Sequence, residues 1–395
     1  MKSNSSRRSF LATGLSLPAA GLAATSVPGP AVIRGLAPMA AAVTPTYRVL
    51  GKTGLKVTSV GFGCMITSDA SVVSRALDMG ITYFDTARGY QQGNNERMVG
   101  ACLKGSRDKV VLSSKSQATT KAEALAHLDT SLKELGTDHL DIWYMHGRDD
   151  AGRINDECVD AWVTAKKAGK TRFIGASTHN PNNIVDRVLE TGVFDVILST
   201  FNFTVGTNND ATYKRLKDAG IGLVAMKVMA PASAGRGRGG RGPGAPATPP
   251  PPAAPPEKFL ASLKWVLRND LMSTTIPSMT DMDQLEVNLR AMSEKFGPAD
   301  EKLLAQLNEE IRPLYCRMCH QCSGQCPKGV PVADTLRYLS YSDFYGQFAL
   351  GREHFQALPE EIRDVHCGDC SSCAVQCPNG VQVRDRLIRA QEMFA

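Results

Sequence analysis

The stretch VVLSSKSQATTKAEALAHLDTSLKELGTDHLDIWYMH, residues 110–146, carries three local patterns in a fixed order. Val110–Ser113 is a short β-branched and apolar run, the composition of a buried strand. Ala122–Leu135 places Leu125, Leu128, Leu132 and Leu135 at helical spacing. Gly136 follows, where a left-handed helix cap is wanted, and Ile142–Met145 is a second strand. This is one β/α/β unit. The alternation continues in both directions from Tyr47 to about Met292. The other expected strands are Val57–Gly61, Tyr83–Asp85, Phe173–Ala176, Val196–Leu198, Gly222–Ala225 and Ser273–Ile276. Asp156–Lys167 is another amphipathic run, and Gly80, Gly169, Gly192 and Gly220 each end a helical segment. Eight such units predict an α/β fold, a parallel (β/α)8 barrel. An open doubly wound sheet is the competitor, but no G-x-G-x-x-G turn follows the first strand.

Asp85 and Tyr90 follow the second expected strand, Lys115 the third and His146 the fourth. In a barrel all of them converge on the C-terminal mouth. Lys115 held by Asp85 would set a positive charge beside Tyr90, favouring tyrosinate and bringing a weak acid within reach of proton transfer. His146 would orient and polarise a substrate oxygen. A lone histidine or a lone Asp–Lys pair is usually structural, whereas the ordered set points to carbonyl reduction.

The segments around these residues resemble the aldo/keto reductase family. Arg48-Val49-Leu50-Gly51-Lys52-Thr53-Gly54-Leu55-Lys56-Val57 is similar to its N-terminal hairpin, and Asp85-Thr86-Ala87-Arg88-Gly89-Tyr90 to its catalytic Asp–Tyr segment. Lys115 in Ser113-Ser114-Lys115 and His146 in Trp143-Tyr144-Met145-His146 fill the other two catalytic places. The resemblance implies NADP or NAD as cofactor, and reversible chemistry on a small carbonyl or alcohol, aldehyde, ketone or sugar-like, with Tyr90 as proton donor. By the same resemblance Ser177 meets the nicotinamide carboxamide, and Ile276-Pro277-Ser278-Met279 with Asn288 forms the adenine-phosphate region. The chain departs from the family in two places. Met226, followed by Lys227, stands where an aromatic usually stacks on nicotinamide. Ser278 and Gln284 replace the basic residues that hold a 2′-phosphate, so NADH becomes an expected cofactor beside NADPH. Cys64 lies near this pocket and reads as a small buried filler.

A second signal lies near the C-terminus. Cys316-x2-Cys319-x2-Cys322-x3-Cys326-Pro327 is repeated as Cys367-x2-Cys370-x2-Cys373-x3-Cys377-Pro378. Eight of the eleven cysteines are used in this way. The spacing is that of two [4Fe–4S] clusters, in which the fourth cysteine reaches across to the other cluster. One cluster then takes Cys316, Cys319, Cys322 and Cys377, and the other Cys367, Cys370, Cys373 and Cys326. Zinc rarely uses this spacing, and a disulfide framework would not repeat it. Gly329-Val330, Val332, Asp334 and Leu336 recur 51 residues later as Gly380-Val381, Val383, Asp385 and Leu387. The long, mostly helical stretch between the motifs resembles the α-helical ferredoxin type.

Ser6-Arg7-Arg8-Ser9-Phe10-Leu11 resembles a twin-arginine (Tat) export signal, and the Gly-containing run that follows suits a signal core rather than a stable membrane anchor. The formal charge of +6 owes four units to Lys2, Arg7, Arg8 and Arg34. The rest is close to neutral, which argues against a nucleic-acid partner. Pro231–Pro256 is almost wholly Gly, Pro, Ala and Arg and buries no core. It reads as a tolerated insertion or as a lid presenting Arg236, Arg238 and Arg241. The expected plan is a signal over 1–42, a barrel over 47–300 interrupted at 231–256, and a ferredoxin-type domain over 311–395. The function that follows is an exported oxidoreductase with a redox partner protein. The alternative is an electron-transfer or docking protein using the barrel as scaffold.

Overall fold

The structure, a computed structural model, describes residues 44–205, 208–229, 231–233 and 256–395. The twin-arginine segment and the arginines of the insertion lie outside the described residues. A short hairpin, β1 (Tyr47–Val49) and β2 (Lys56–Thr58), opens the described chain. Eight parallel strands follow: β3 (Phe62–Gly63), β4 (Tyr83–Asp85), β5 (Val111–Ser116), β6 (Leu140–Met145), β7 (Thr171–Thr178), β8 (Val196–Thr200), β9 (Gly222–Met226) and β10 (Thr274–Thr275). Each pairs with the next, and bridges Val60–Thr275 and Gly63–Ser278 join the first to the last. The sheet is a closed (β/α)8 barrel.

Seven of the expected strands stand where the sequence places them, within a few residues. The first is shifted. Val57 pairs with Arg48 in the hairpin, and the barrel strand is the glycine-rich Phe62–Gly63. A Cβ on Gly63 would lie 2.4 Å from the Ile276 carbonyl oxygen, so close closure of the barrel excludes the β-branched residues that mark strands in sequence.

Helices α1 (Ala70–Asp78), α2 (Asn94–Leu103), α3 (Lys121–Leu135), α4 (Asp156–Lys167), α5 (Val185–Thr191), α6 (Asp210–Asp218), α7 (Pro256–Leu267) and α8 (Met282–Arg290) surround the sheet. α3 shows why the pattern is helical. Thr120 caps its start by accepting from the Glu123 amide, and Gly136 ends it at φ 63°. The period of two along each strand divides the barrel. Phe84, Leu112, Trp143, Met145, Ile174, Ile197 and Leu223 belong to one core with the helices. Tyr83, Val111, Ile142, Tyr144, Val196, Leu198 and Val224 form a second with Leu50 and Leu55 of the hairpin, which closes the bottom. The next inward positions toward the C-terminal ends are Asp85, Lys115 and His146.

Helix α9 (Pro298–Ile311) leads to the C-terminal region, with α10 (Val332–Asp343), α11 (Phe348–Gln356), α12 (Glu360–Arg363) and α13 (Val383–Phe394). The sequence repeat is a structural one. α10 and α13 start at matching positions, Gly329 and Gly380 turn at φ 74° and 82°, and Val330, Val332, Leu336, Val381, Val383 and Leu387 share one apolar cluster. The region joins the barrel through a buried ion pair, Arg337 to Asp149 at 2.7 Å, and through Asn180, whose amide reaches the Cys319 carbonyl at 3.5 Å.

Trp162 of α4 stacks on Trp143 of β6 with ring centroids 3.9 Å apart and donates to the Trp143 carbonyl at 3.0 Å. Truncating it leaves a large void in a dense core. Trp162→Ala is expected to cost about 3–5 kcal/mol in chemical denaturation; a loss below about 1 kcal/mol would show that helix and strand are not held by this pair.

Candidate active site

Period two carries the catalytic set. Asp85 ends β4 opposite Ser113, and Lys115 lies within β5 opposite Tyr144 rather than after the strand. His146 follows β6. Lys115 Nζ donates to Asp85, to the Thr86 carbonyl at 2.8 Å and to Tyr90 Oη at 3.4 Å. Ser113 Oγ donates to Asp85 at 2.6 Å. The Tyr90 and His146 rings meet edge-to-face with centroids 5.8 Å apart. All four expected residues are therefore together.

The electrostatics correct one expectation. Burial raises the Tyr90 hydroxyl above its ordinary value, and this outweighs the pull of Lys115. Tyr90 is held as the phenol, ready to donate, and is not poised as tyrosinate. Burial would lower the Lys115 ammonium, but Asp85 and Tyr90 hold it above its ordinary value. Burial, then Lys115, keeps His146 well below its ordinary value, so it is a neutral imidazole near neutrality.

Several supports are not visible in the sequence. Glu96 of α2, fully buried, accepts from Arg88 at 2.5 Å and from Ser114 at 2.6 Å. It ties the Tyr90 loop to β5. Gln91 and Gln92, just after Tyr90, take left-handed φ of 50° and 56°, and the Gln91 side chain donates to the Thr67 carbonyl at 2.8 Å. Below Asp85, Tyr144, Tyr83 and Ser113 form a hydrogen-bonded column. No motif signals these residues, because their partners lie far away in sequence.

The set opens into a cleft of about 1000 Å³. Ser177, Met226, Lys227, Ser278, Gln284 and Asn288 all line it. Ser177 Oγ accepts from the Gly147 amide at 2.8 Å. Asn288 is buried with its Nδ2 unpartnered, a donor waiting for a ligand. Gln284 is committed to Thr280 and Asp281 at the start of α8. Cys64 is fully buried and its thiol is pushed up, first by burial, which suits the filler reading. The other wall comes from the C-terminal region: Arg337, Tyr338 and Tyr341 of α10, Tyr345, and His354 of α11. Lys227 Nζ stands 4.6 Å and 4.9 Å from the Tyr341 and Tyr345 ring centroids. Burial, then Arg337, lowers its pKa to about 7.

Cys316, Cys319, Cys322 and Cys377 line one small cavity. The Cys316 thiol is raised first by burial and then by the three others. Cys367 is raised first by burial and then by Cys326, Cys370 and Cys373. Backbone and side-chain donors point at the sulfurs, Met318 N to Cys316 Sγ and Asn379 Nδ2 to Cys319 Sγ, each at 3.4 Å. Met318 and His320 take left-handed φ of 57°, which curls the loop around the cavity. Among the described residues no three His, Cys, Asp or Glu side chains converge as on a single ion.

A sequence model of the Aldo/keto reductase family matches residues 67–247. L-galactose dehydrogenase of Arabidopsis thaliana is 29% identical over 314 residues, covering 68% of this chain and 94% of that protein. L-glyceraldehyde 3-phosphate reductase of Escherichia coli is 30% identical over 159 residues, covering 34% of this chain and 46% of the enzyme. An uncharacterised oxidoreductase of Bacillus subtilis is 29% identical over 168 residues, covering 38% of this chain and 55% of that protein. The chain thus spans about half the length of several of these curated relatives, the plant protein excepted. Among solved structures, the apo form of an aldo-keto reductase from Bacillus halodurans is 25% identical with a TM-score of 0.53, covering 67% of this chain and 96% of that one. An aldo/keto reductase from Klebsiella pneumoniae in complex with NADP and acetate is 22% identical with a TM-score of 0.53, covering 67% and 94%.

The Lys115–Asp85 pair yields a stability test. Asp85→Asn leaves a buried ammonium without its counter-charge and is expected to cost about 3–5 kcal/mol. Asp85→Leu with Lys115→Met removes both charges and should recover most of that loss in urea denaturation. Equal stability of the single and double variants would mean that the pair is already solvated.

Proposed function

We propose that the chain is a member of the aldo/keto reductase family, on its similarity to the proteins above, and that it is a nicotinamide-dependent oxidoreductase interconverting a carbonyl and an alcohol. The observation that carries this reading is the contact of Lys115 Nζ with both Asp85 and Tyr90, with neutral His146 edge-on to Tyr90 at the mouth of the cleft. Tyr90, kept protonated, gives its proton to the substrate oxygen in reduction and takes it back in oxidation. Lys115 stabilises the charge left on Tyr90, and Asp85 fixes the ammonium in place. His146 donates a hydrogen bond that sets the carbonyl against Tyr90. The cleft suits a dinucleotide: Ser177, Met226, Ser278 and the buried, unpartnered Asn288 amide line it together with the tetrad. NADP or NAD bound there supplies or accepts the hydride.

The C-terminal region is proposed to hold two [4Fe–4S] clusters. Cys316, Cys319, Cys322 and Cys377 form one ligand set, and Cys367, Cys370, Cys373 and Cys326 the other. Four soft thiol donors around a cavity, with N–H groups aimed at the sulfurs, fit such a group. A cluster supplies one-electron transfer or a structural cross-link, and a redox partner protein belongs to the first case. Arg7 and Arg8 support export on the Tat route, which carries a folded chain with its cofactors already loaded. The alternative, a barrel serving only as scaffold for the clusters, leaves the assembled tetrad without a use.

Two experiments test the reading. Tyr90→Phe removes one hydroxyl and is expected to lower turnover about 10²–10⁴-fold in steady-state assays with NADH or NADPH. Turnover near that of the wild type would remove Tyr90 from the chemistry. The purified protein should contain about eight iron and eight sulfide per chain. Cys377→Ser should damage the cluster of Cys316, Cys319 and Cys322, read by iron content and electron paramagnetic resonance. Loss of only the other cluster would refute the crossed ligation.

A further inference from the structure

Lys227 is an unusual residue to find in this cleft. It follows β9 directly and takes a left-handed φ of 59°, a conformation that L side chains other than glycine seldom adopt. The turn is held in place. Asn202, fully buried, donates to the Lys227 carbonyl at 3.1 Å and accepts from Thr204 N and Oγ1 at 3.0 and 2.7 Å. Strain that the surroundings enforce is common where a side chain has a task.

The side chain turns toward α10 rather than toward Ser278 and Asn288. Its ammonium lies over the rings of Tyr341 and Tyr345, and no carboxylate pairs with it among the described residues. The nearby acids are engaged elsewhere. Asp85 holds Lys115, Asp149 is bound by Arg337 and His179, and Glu353 is exposed. Asp281 accepts from Gln284, and Asp283 is exposed. Burial, with Arg337 close enough to act on Lys227, leaves its amine only partly protonated near neutrality, so a bound anion would raise the charged fraction. The Tyr345 hydroxyl, another wall group, is buried with no partner. Two rings, one free ammonium and one free hydroxyl facing a cavity make a recognition site for a flat group bearing a negative charge.

Resting on the reading of this cleft as a reductase site, we infer that Lys227 is the anion-holding residue of the substrate subsite, and that the substrate is a carbonyl compound or alcohol carrying a carboxylate. Among the described lining residues, Arg337 is shared by Asp149 and Asp334 and Arg153 is exposed, so Lys227 is the half-buried cation left for a monoanion. The carboxylate sits between Lys227 and the Tyr345 hydroxyl, and the reacting carbon points toward Tyr90 and His146. The subsite exists only because the C-terminal region covers the barrel mouth.

The test separates binding from turnover. Calorimetry on the full-length protein saturated with dinucleotide compares 4-(hydroxymethyl)benzoate with benzyl alcohol. The wild type should bind the carboxylate at least about tenfold more tightly, the scale of one hydrogen bond to a charged group. Lys227→Met and Lys227→Gln should each erase the difference, and Lys227→Arg should keep most of it. The two neutral variants guard against a folding defect in either. The inference is overturned by an absent preference in the wild type, by a preference that survives both neutral variants, or by variants that weaken dinucleotide binding instead. Reduction rates for 4-carboxybenzaldehyde and its methyl ester then judge the underlying reading. A carboxylate preference in binding with neither aldehyde reduced would uphold the subsite and sink the reductase. Reduction of both aldehydes with no binding preference would do the reverse.

Discussion

A charged lysine inside a barrel is the constraint around which this structure is arranged. Taking the Lys115 ammonium and the Asp85 carboxylate out of water costs several kcal/mol per ion, and their attraction returns it only if every remaining donor and acceptor is met. The site meets them one by one. Asp85 receives Lys115 and the Ser113 hydroxyl, and Lys115 gives its other hydrogens to the Thr86 carbonyl and to Tyr90. The Tyr83–Tyr144 column supports Ser113 from below, and Glu96 pins the loop carrying Tyr90. With its neighbours so placed, Tyr90 need not move to act. The same burial that makes the pair expensive keeps Tyr90 protonated and His146 neutral, the states a proton donor and its orienting partner require.

A second buried ion pair does for the C-terminal region what the first does for the barrel. Arg337 reaches Asp149 across 188 residues of chain and lies 3.1 Å from His179 Nδ1. His179 and Arg337 together hold the Asp149 carboxyl below its ordinary value against the opposing effect of burial. Such a pair fixes position more than it adds stability. It sets α10 over the barrel mouth and brings Tyr338 and Tyr341 to the cleft. The barrel and the cysteine-bearing region are therefore two walls of one site.

The barrel was legible because its strands repeat one pattern at regular spacing, and each catalytic residue lies near the C-terminal end of a strand with a strong local signature, or just beyond it. Tyr83–Asp85 was read to the residue. The first strand was misplaced because Val57 has strand character but spends it in the hairpin, while Phe62–Gly63 is held by closure rather than propensity. The repeat of the C-terminal region was readable from the cysteine spacing and the residues that follow it. Glu96, Arg337 and the aromatic wall were not. Their meaning comes from partners many residues away, and a lone Arg or Tyr on an amphipathic helix carries no sign of what it faces. The state of Tyr90 was misjudged for a related reason. The sequence shows the charge beside it but not the depth of its burial.

The internal repeat shows how one half came to serve the barrel. α10 and α13 share Val332/Val383, Asp334/Asp385 and Leu336/Leu387, and the apolar members of these pairs pack in the cluster that surrounds the cysteines. The next positions diverge. Arg337, Tyr338 and Tyr341 of α10 correspond to Ile388, Arg389 and Glu392 of α13. The α10 set lines the cleft. In α13, Ile388 packs on the cysteine cluster and Arg389 pairs with Asp343 of α10. What the two copies keep in common is what the cysteine quartets need, and what they do not share is what the barrel needs from one of them. A packed helical region is a good place to mount a cleft wall, because the positions of Tyr341 and Tyr345 then follow from the fold of the region. On this view the quartets shape the active site whether or not electrons ever pass between them.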